Sequence, residues 1–303
     1  MDLTLTEDQE LVQRTAREFL AGRARPGEGF SEQLWKEIVE LGWTGVAFDV
    51  GFLEACLLAE ELGRFAVPSP FTVSLTCAMA VPDLRERVAA GRVYTPATAV
   101  AGVADLVPYA EIADGFVVTT ETGVRLVEKA DEIERVEVIG LDPKYRVRFG
   151  EGVPLDVDPA RVAAFGAAIV CAEMVGGAQA VLDQTVEYAT QRHQFGKPIG
   201  SFQAVQHHCA DMAIDVLGSR FAAYEACWRL GRGWTADTEV AVAKSWVGEA
   251  YQRVCALGHQ VHGAIGFTAE HDLHVHTRHA IACALAFGDP DSHVERLAEL
   301  IGL

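Results

Sequence analysis

The sequence predicts a mainly α protein with a small β domain in its middle. Three observations carry this. Residues 1–92 repeat apolar side chains at helical spacing, residues 93–157 switch to short β-branched runs, and residues 158–303 return to long helical stripes. The expected domains are therefore an N-terminal helical domain (1–92), a middle β domain (93–157) and a C-terminal helical bundle (158–303).

The elements follow in order. Thr6-Glu-Asp-Gln9 is a capping box opening a helix to about Ala21. A second helix spans about Ser31–Leu41, with Leu34, Ile38 and Leu41 on one face. A third spans about Phe52–Leu62 and is expected to stop at Gly63 as a C′ glycine. Pro68 and Pro70 precede an apolar helix over about Phe71–Ala80. Phe116–Thr120, Val124–Glu128, Arg135–Ile139 and Tyr145–Phe149 read as strands, with a hairpin turn at Thr122-Gly123. A β domain this small would be marginal alone, so it is expected to lean on the helices.

Asp158-Pro159 then caps a helix to about Gln191. The next helix, opening at Ser201, spaces Phe202, Val205, Cys209, Met212 and Val216 by three or four and continues through Leu217, Phe221, Tyr224 and Trp228. A third, capped by Thr235, does the same from Val240 to Val261. Two further helices cover about Ala269–Ala284 and Asp291–Leu300. Stripes this narrow predict long, nearly antiparallel helices, and helices of this length build oligomer contacts.

The 303 residues are half apolar and carry a net charge of −18, which excludes nucleic acid or an anionic membrane surface as partner. Seven scattered cysteines with no CxxC pair read as buried free thiols of a reducing cytoplasm. The N-terminus resembles no signal peptide, and no transmembrane span is expected.

The stretch from Tyr188 to Asp211 places Arg192, a Gly/Pro turn and a new helix start together. An Arg fork and free helix N–H groups suit a diphosphate; a plain surface turn has the same ingredients. His271, His274, His276 and His279 also crowd together, but the residues four past His271 and His276 are Val275 and Ala280. With no H-E-x-x-H or Cys pair, a surface or interface cluster is expected rather than a metal site.

Tyr188-Ala-Thr-Gln-Arg-His-Gln-Phe-Gly-Lys-Pro-Ile, followed by Phe202-Gln-Ala-Val-Gln-His, closely resembles the C-terminal motif of the acyl-CoA dehydrogenases. Gln260-Val-His-Gly-Ala-Ile-Gly-Phe267 resembles that family's second motif, Q-x-x-G-G-x-G-[YF], with Ala264 for the middle glycine. Leu34-Trp-Lys-Glu-Ile-Val-Glu-Leu-Gly-Trp and Ala59-Glu-Glu-Leu-Gly-Arg also look like the family. The likeness covers residues 1–80 and 158–303. It implies an N-terminal helical domain, a middle β domain and a C-terminal four-helix bundle. It also implies FAD lying between subunits, its ring between one protomer's β domain and bundle and its ADP end held by the neighbouring bundle. Carried over, Arg192, Gln194, Phe195, Phe202, Gln203, Gln260, Gly263 and Ala264 are the expected ADP contacts.

The resemblance also implies a glutamate base at one of two places. Counting from Arg278, the first is Phe287; counting back from Val175-Gly-Gly-Ala-Gln, the second is Gly166. Neither is a carboxylate, and Asp289 and Glu173 sit at the wrong spacings. The middle domain is shortened and lacks a T-E-P-x-A-G-S-D-like flavin stretch, and the N-terminal Gly-rich loop has shrunk to Ala47-Phe-Asp-Val-Gly-Phe. The chain thus resembles the short, degenerate subunit of α2β2 acyl-CoA dehydrogenases of bacterial steroid side-chain degradation. That implies a longer partner supplying the base, a shared FAD and a bulky acyl-CoA. Two alternatives stand beside it: an active homo-oligomer with an unrecognised base, and a flavin-free scaffold that holds a partner or CoA.

Overall fold

A computed structural model of the chain describes residues 4–303. Its first part comprises helices α1 (Glu7–Ala21), α2 (Glu32–Glu40), α3 (Val46–Asp49), α4 (Phe52–Arg64), α5 (Phe71–Ala80) and α6 (Arg85–Ala89). Strands β1 (Tyr94–Thr98), β2 (Val103–Pro108), β3 (Gly115–Thr120), β4 (Gly123–Val127), β5 (Glu132–Val136), β6 (Lys144–Arg148) and β7 (Val153–Leu155) follow. Then come α7 (Pro159–Gln191), the short strands β8 (His193–Gln194) and β9 (Lys197–Pro198), α8 (Gln203–Gly231), α9 (Asp237–His262), α10 (Leu273–Leu285) and α11 (Pro290–Ile301).

Local chemistry explains several boundaries. Thr6 Oγ1 accepts from the Gln9 N–H at 3.3 Å while Gln9 Oε1 accepts from the Thr6 N–H at 3.0 Å, closing the capping box. Asp158 accepts from the Ala160 N–H at 2.9 Å at the start of α7. Gly63, however, does not end its helix: α4 runs through it to Arg64. The glycine is there because α4 crosses α7. A Cβ on Gly63 would lie 1.8 Å from the Glu173 carbonyl oxygen, and one on Gly176 would lie 1.7 Å from that of Glu60. Two glycines let the backbones touch.

The strands form a four-stranded sheet, β1-β3-β4-β7, and a three-stranded sheet, β2-β6-β5. β1 runs parallel to β3; the other pairs are antiparallel. β3 and β4 join at Thr120↔Gly123, the expected hairpin. β5 lies three residues before the run at Arg135–Ile139, and β1, β2 and β7 are additional to the expected strands. Val117 and Val124 reach the main core, the Tyr94 N–H donates to Ser74 Oγ at 3.3 Å, and Arg278 Nε donates to the Ile139 carbonyl at 2.7 Å. The small sheets do lean on the helices.

α7 is long and apolar enough to cross a membrane by length and composition, but 83% of its most apolar window is buried inside the protein. It is the core helix. Arg220 bonds Gln179 while Cys227 Sγ donates to the Ala168 carbonyl, and Arg253 pairs with Asp215 while Arg229 pairs with Glu239, so α8 runs antiparallel to α7 and α9. Three expectations need correction here. α8 starts at Gln203, after a 3-10 turn over Ile199–Ser201. α9 starts at Asp237, with Ala236 rather than Thr235 at the cap position and no side-chain cap. Leu217 and Phe221 leave the α8 stripe: they are 49% and 44% exposed, while Met212, Val216, Ala223 and Tyr224 are buried. A 3.6-residue repeat drifts, so a stripe read by threes and fours over 29 residues slips off the buried face.

Candidate functional site

Because consecutive bundle helices alternate in direction, the end of α7, the start of α8, the end of α9 and the start of α10 share one end of the bundle. Both sequence motifs sit there. The Tyr188 ring stacks on His262 with centroids 4.4 Å apart, tying the two motif-bearing helix ends together.

Arg192 is the C-cap of α7; its N–H donates to the Tyr188 carbonyl and its own carbonyl accepts from the Ile199 N–H, both at 2.8 Å. Its exposed side chain makes no ion pair among the described residues. β8 and β9 then form a tight hairpin that turns through Phe195 (φ 53°) and Gly196 (φ 79°). Left-handed backbone is expensive for a phenylalanine, and the Phe195 ring is 92% exposed. It meets Phe202 edge-on at 6.2 Å, and Lys197 Nζ lies 4.3 Å above the Phe202 ring. Phe202 caps α8 without a side-chain hydrogen bond, so the helix start at Gln203 has no side-chain cap.

Gln260, Gly263 and Ala264 line a groove of about 650 Å³ between α9 and α10, with Cys255, His259 and Thr277 among its other walls. Gly263 is required by its backbone, at φ 65° and ψ −142°, which only glycine adopts readily. Among the described residues nothing lies within 4 Å of the place where its Cβ would stand. Phe267 stacks on His259 at 4.3 Å and is otherwise largely exposed. Arg192, Gln194, Phe195, Phe202 and Gln203 are not walls of this groove. Within one chain the eight residues make two neighbouring patches.

Phe287 and Gly166, the two positions where the resemblance implies a base, meet in space. A Cβ added to Gly166 would lie 2.2 Å from Cε1 of Phe287, so the phenyl ring rests directly on the glycine. Phe287 has φ 57° and lies between α10 and α11. Its loop is clamped by Lys244, a fully buried residue that donates from Nζ to the carbonyls of Ala284 (2.6 Å) and Gly288 (2.7 Å). Burial pulls the Lys244 pKa below the usual lysine value. His293 Nε2 donates to the Phe287 carbonyl at 2.9 Å. The two substitute carboxylates are committed elsewhere. Asp289 is the N-cap of α11, accepting from the Ser292 N–H at 2.8 Å. Glu173 accepts from Thr72 at 2.7 Å and pairs with His279 Nε2 at 2.9 Å.

The histidines are not one surface cluster. His276 and His279 are buried and share the Tyr251 hydroxyl, at 3.1 and 3.3 Å from their Nδ1 atoms, because α10 turns this face into the core. His271 and His274 are only partly buried. Burial pushes His276 down to about 3. For His279 burial opposes the charge, but Cys283 and Glu173 outweigh it and hold the imidazole well above its ordinary value. Glu173, His279 and Cys283 have ligand atoms within 4.8 Å of one another and hydrogen-bond among themselves. No spacing rule connects Glu173 with a histidine 106 positions away, so this network was invisible in the sequence. Lys244 did leave a trace, as a cation beside Ala243 on an apolar stripe.

Residues 6–86 match the acyl-CoA dehydrogenase N-terminal domain and residues 161–302 the acyl-CoA dehydrogenase C-terminal domain. The chain belongs to the acyl-CoA dehydrogenase family. It is similar to acyl-CoA dehydrogenase IpdE2 of Mycobacterium tuberculosis, at 29% identity over 97% of this chain and 98% of that one. Among solved structures it is similar to a variant of the Tcur3481-Tcur3483 steroid ACAD (TM-score 0.88, 25% identity, 99% of both chains). It is also similar to the ChsE4-ChsE5 complex from Mycobacterium tuberculosis (TM-score 0.87, 25% identity, 100% of this chain and 99% of that one). Acyl-CoA dehydrogenases are flavoprotein oxidoreductases that use FAD.

Proposed function

We propose that this chain is the non-catalytic subunit of a heteromeric, α2β2-type acyl-CoA dehydrogenase acting on a bulky thioester such as a steroid side chain. Its longer partner supplies the base and the contacts to the flavin ring, and this chain holds the ADP half of the shared FAD. The observation that carries the reading is the Phe287–Gly166 contact. Both places where the family keeps its glutamate are apolar, they touch each other, and the carboxylates nearest in sequence are engaged in other bonds. The likeness to a steroid ACAD and to a two-component complex supports the substrate class and the partner.

The residues present fit the ADP end of FAD. The Arg192 guanidinium, unpaired among the described residues, offers a fork for phosphate oxygens, and the α8 start, which has no side-chain cap, offers N–H groups. The open backbone at Gly263 admits a close approach, and the Gln260 amide lies in the groove wall. They do not fit the ring in the same way. The seam between sheets and bundle is bridged by protein: Arg278 donates to the Ile139 carbonyl, and a Cβ on Gly140 would lie 3.0 Å from that of Ala282. When bound, FAD accepts the hydride leaving the substrate Cβ; the residues here bind and orient its far end.

The test is co-expression with a longer acyl-CoA dehydrogenase. The complex should be yellow and oxidise a steroid side-chain thioester faster than octanoyl-CoA. Arg192→Ala should lower its flavin content at least tenfold without changing the circular dichroism spectrum. Stoichiometric FAD and acyl-CoA oxidation by this chain alone would refute the proposal, and unchanged flavin in the variant would remove Arg192 from the site.

A further inference from the structure

A missing base would leave an acyl chain free to bind without reacting, but Phe287 does more than omit a carboxylate. We propose that Phe287 is a plug that shuts the acyl channel of this protomer, so that the subunit excludes a linear acyl-CoA thioester altogether. The inference rests on reading Phe287 and Gly166 as the two base positions of the family. A base acting from either position must reach the same substrate Cα–H, so the substrate Cα belongs in the space between them. The phenyl ring fills that space. A Cβ on Gly166 would stand 2.2, 2.3 and 2.6 Å from Cε1, Cδ1 and Cζ of Phe287, whereas an intervening methylene needs about 4 Å of clearance from each neighbour.

Two further features point the same way. Gly166 lies inside α7, where glycine is a poor helix former, and any larger side chain would strike the ring. Phe287 keeps left-handed backbone, at φ 57°, that a bulky residue rarely adopts. The surroundings hold it there. Lys244 grips the carbonyls on both sides of the loop, His293 grips that of Phe287, and Asp289 anchors the start of α11. A buried lysine that joins a last-turn carbonyl of α10 to a loop carbonyl is a positioning residue for the ring.

The experiment counts thioester sites. The full chain, purified with any chain that accompanies it, is titrated with octanoyl-CoA by calorimetry as wild type and as Phe287→Gly. Glycine suits the observed φ, so the variant should fold; Phe287→Ala serves in its place if thermal unfolding shows otherwise. The expected result is one additional octanoyl-CoA site per copy of this chain in the variant. Phe287→Gly/Gly166→Leu, which fills the space from the opposite wall, should lose that site again. A site count that does not change on removing the ring overturns the plug. Flavin content reads the Arg192 hairpin separately, so failure of the cofactor reading and failure of the plug give different results.

Discussion

At the scale of residues, glycines and one lysine show how much of the design lies in backbone proximity. Gly63 and Gly176 allow α4 and α7 to cross with each glycine against a carbonyl oxygen of the other helix, and a methyl group at either place would meet backbone rather than a flexible side chain. Gly176→Ala should therefore destabilise the protein by about 3 kcal/mol, the upper range of overpacking, read as a shift of the urea midpoint. A change of less than ~0.5 kcal/mol would mean that the helices can slide apart. Gly63 looked like a helix stop because a glycine after an apolar run has two uses, a left-handed cap and a close approach. The sequence alone offers no way to choose between them when the partner backbone lies more than a hundred residues away.

At the scale of elements, α8 separates periodicity from burial. Its stripe was legible at Met212, Val216 and Tyr224, which turns in to donate to Glu60 at 2.6 Å, but not at Leu217 and Phe221, which turn outward. Leu217→Ser should leave the folded chain within about 0.5 kcal/mol of wild type. Tyr224→Phe, a smaller change on paper, takes a partner from a buried carboxylate and should cost about 1–3 kcal/mol. Equal effects in chemical denaturation would contradict this assignment of the helix face. α7, read from the sequence as a bundle helix, is long and apolar enough by composition to span a membrane, and the helices around it bury 83% of its most apolar window.

For the whole molecule, the junction of α7, α9 and α10 carries two buried histidines whose pKa values are shifted in opposite directions. His276 is buried neutral, with its pKa lowered from 6.5 to about 3. Between those values the unfolded chain binds more protons at this site, so the stability it contributes is present above pH 6.5 and is lost as pH falls toward 3. His279 has the opposite sign: its pKa is raised, so its contribution is lost as pH rises through that higher value. Melting temperature should fall on acidification below pH 6.5, and His276→Gln, which cannot take up that proton, should flatten the decline. An unaltered acid slope would show that other groups govern it.

By itself the sequence determined the family, the order of helical, β and helical parts, and the two C-terminal motifs that resemble the family's. Those features are local: caps, periods and contiguous strings, whose physics is complete within a few residues. Tertiary structure alone decided that Phe287 lies on Gly166, that Lys244 holds the loop carrying Phe287, that His279 pairs with Glu173, and that the two motifs form separate patches on one end of the bundle. Each of these depends on the distance between residues remote in sequence, and packing sets that distance.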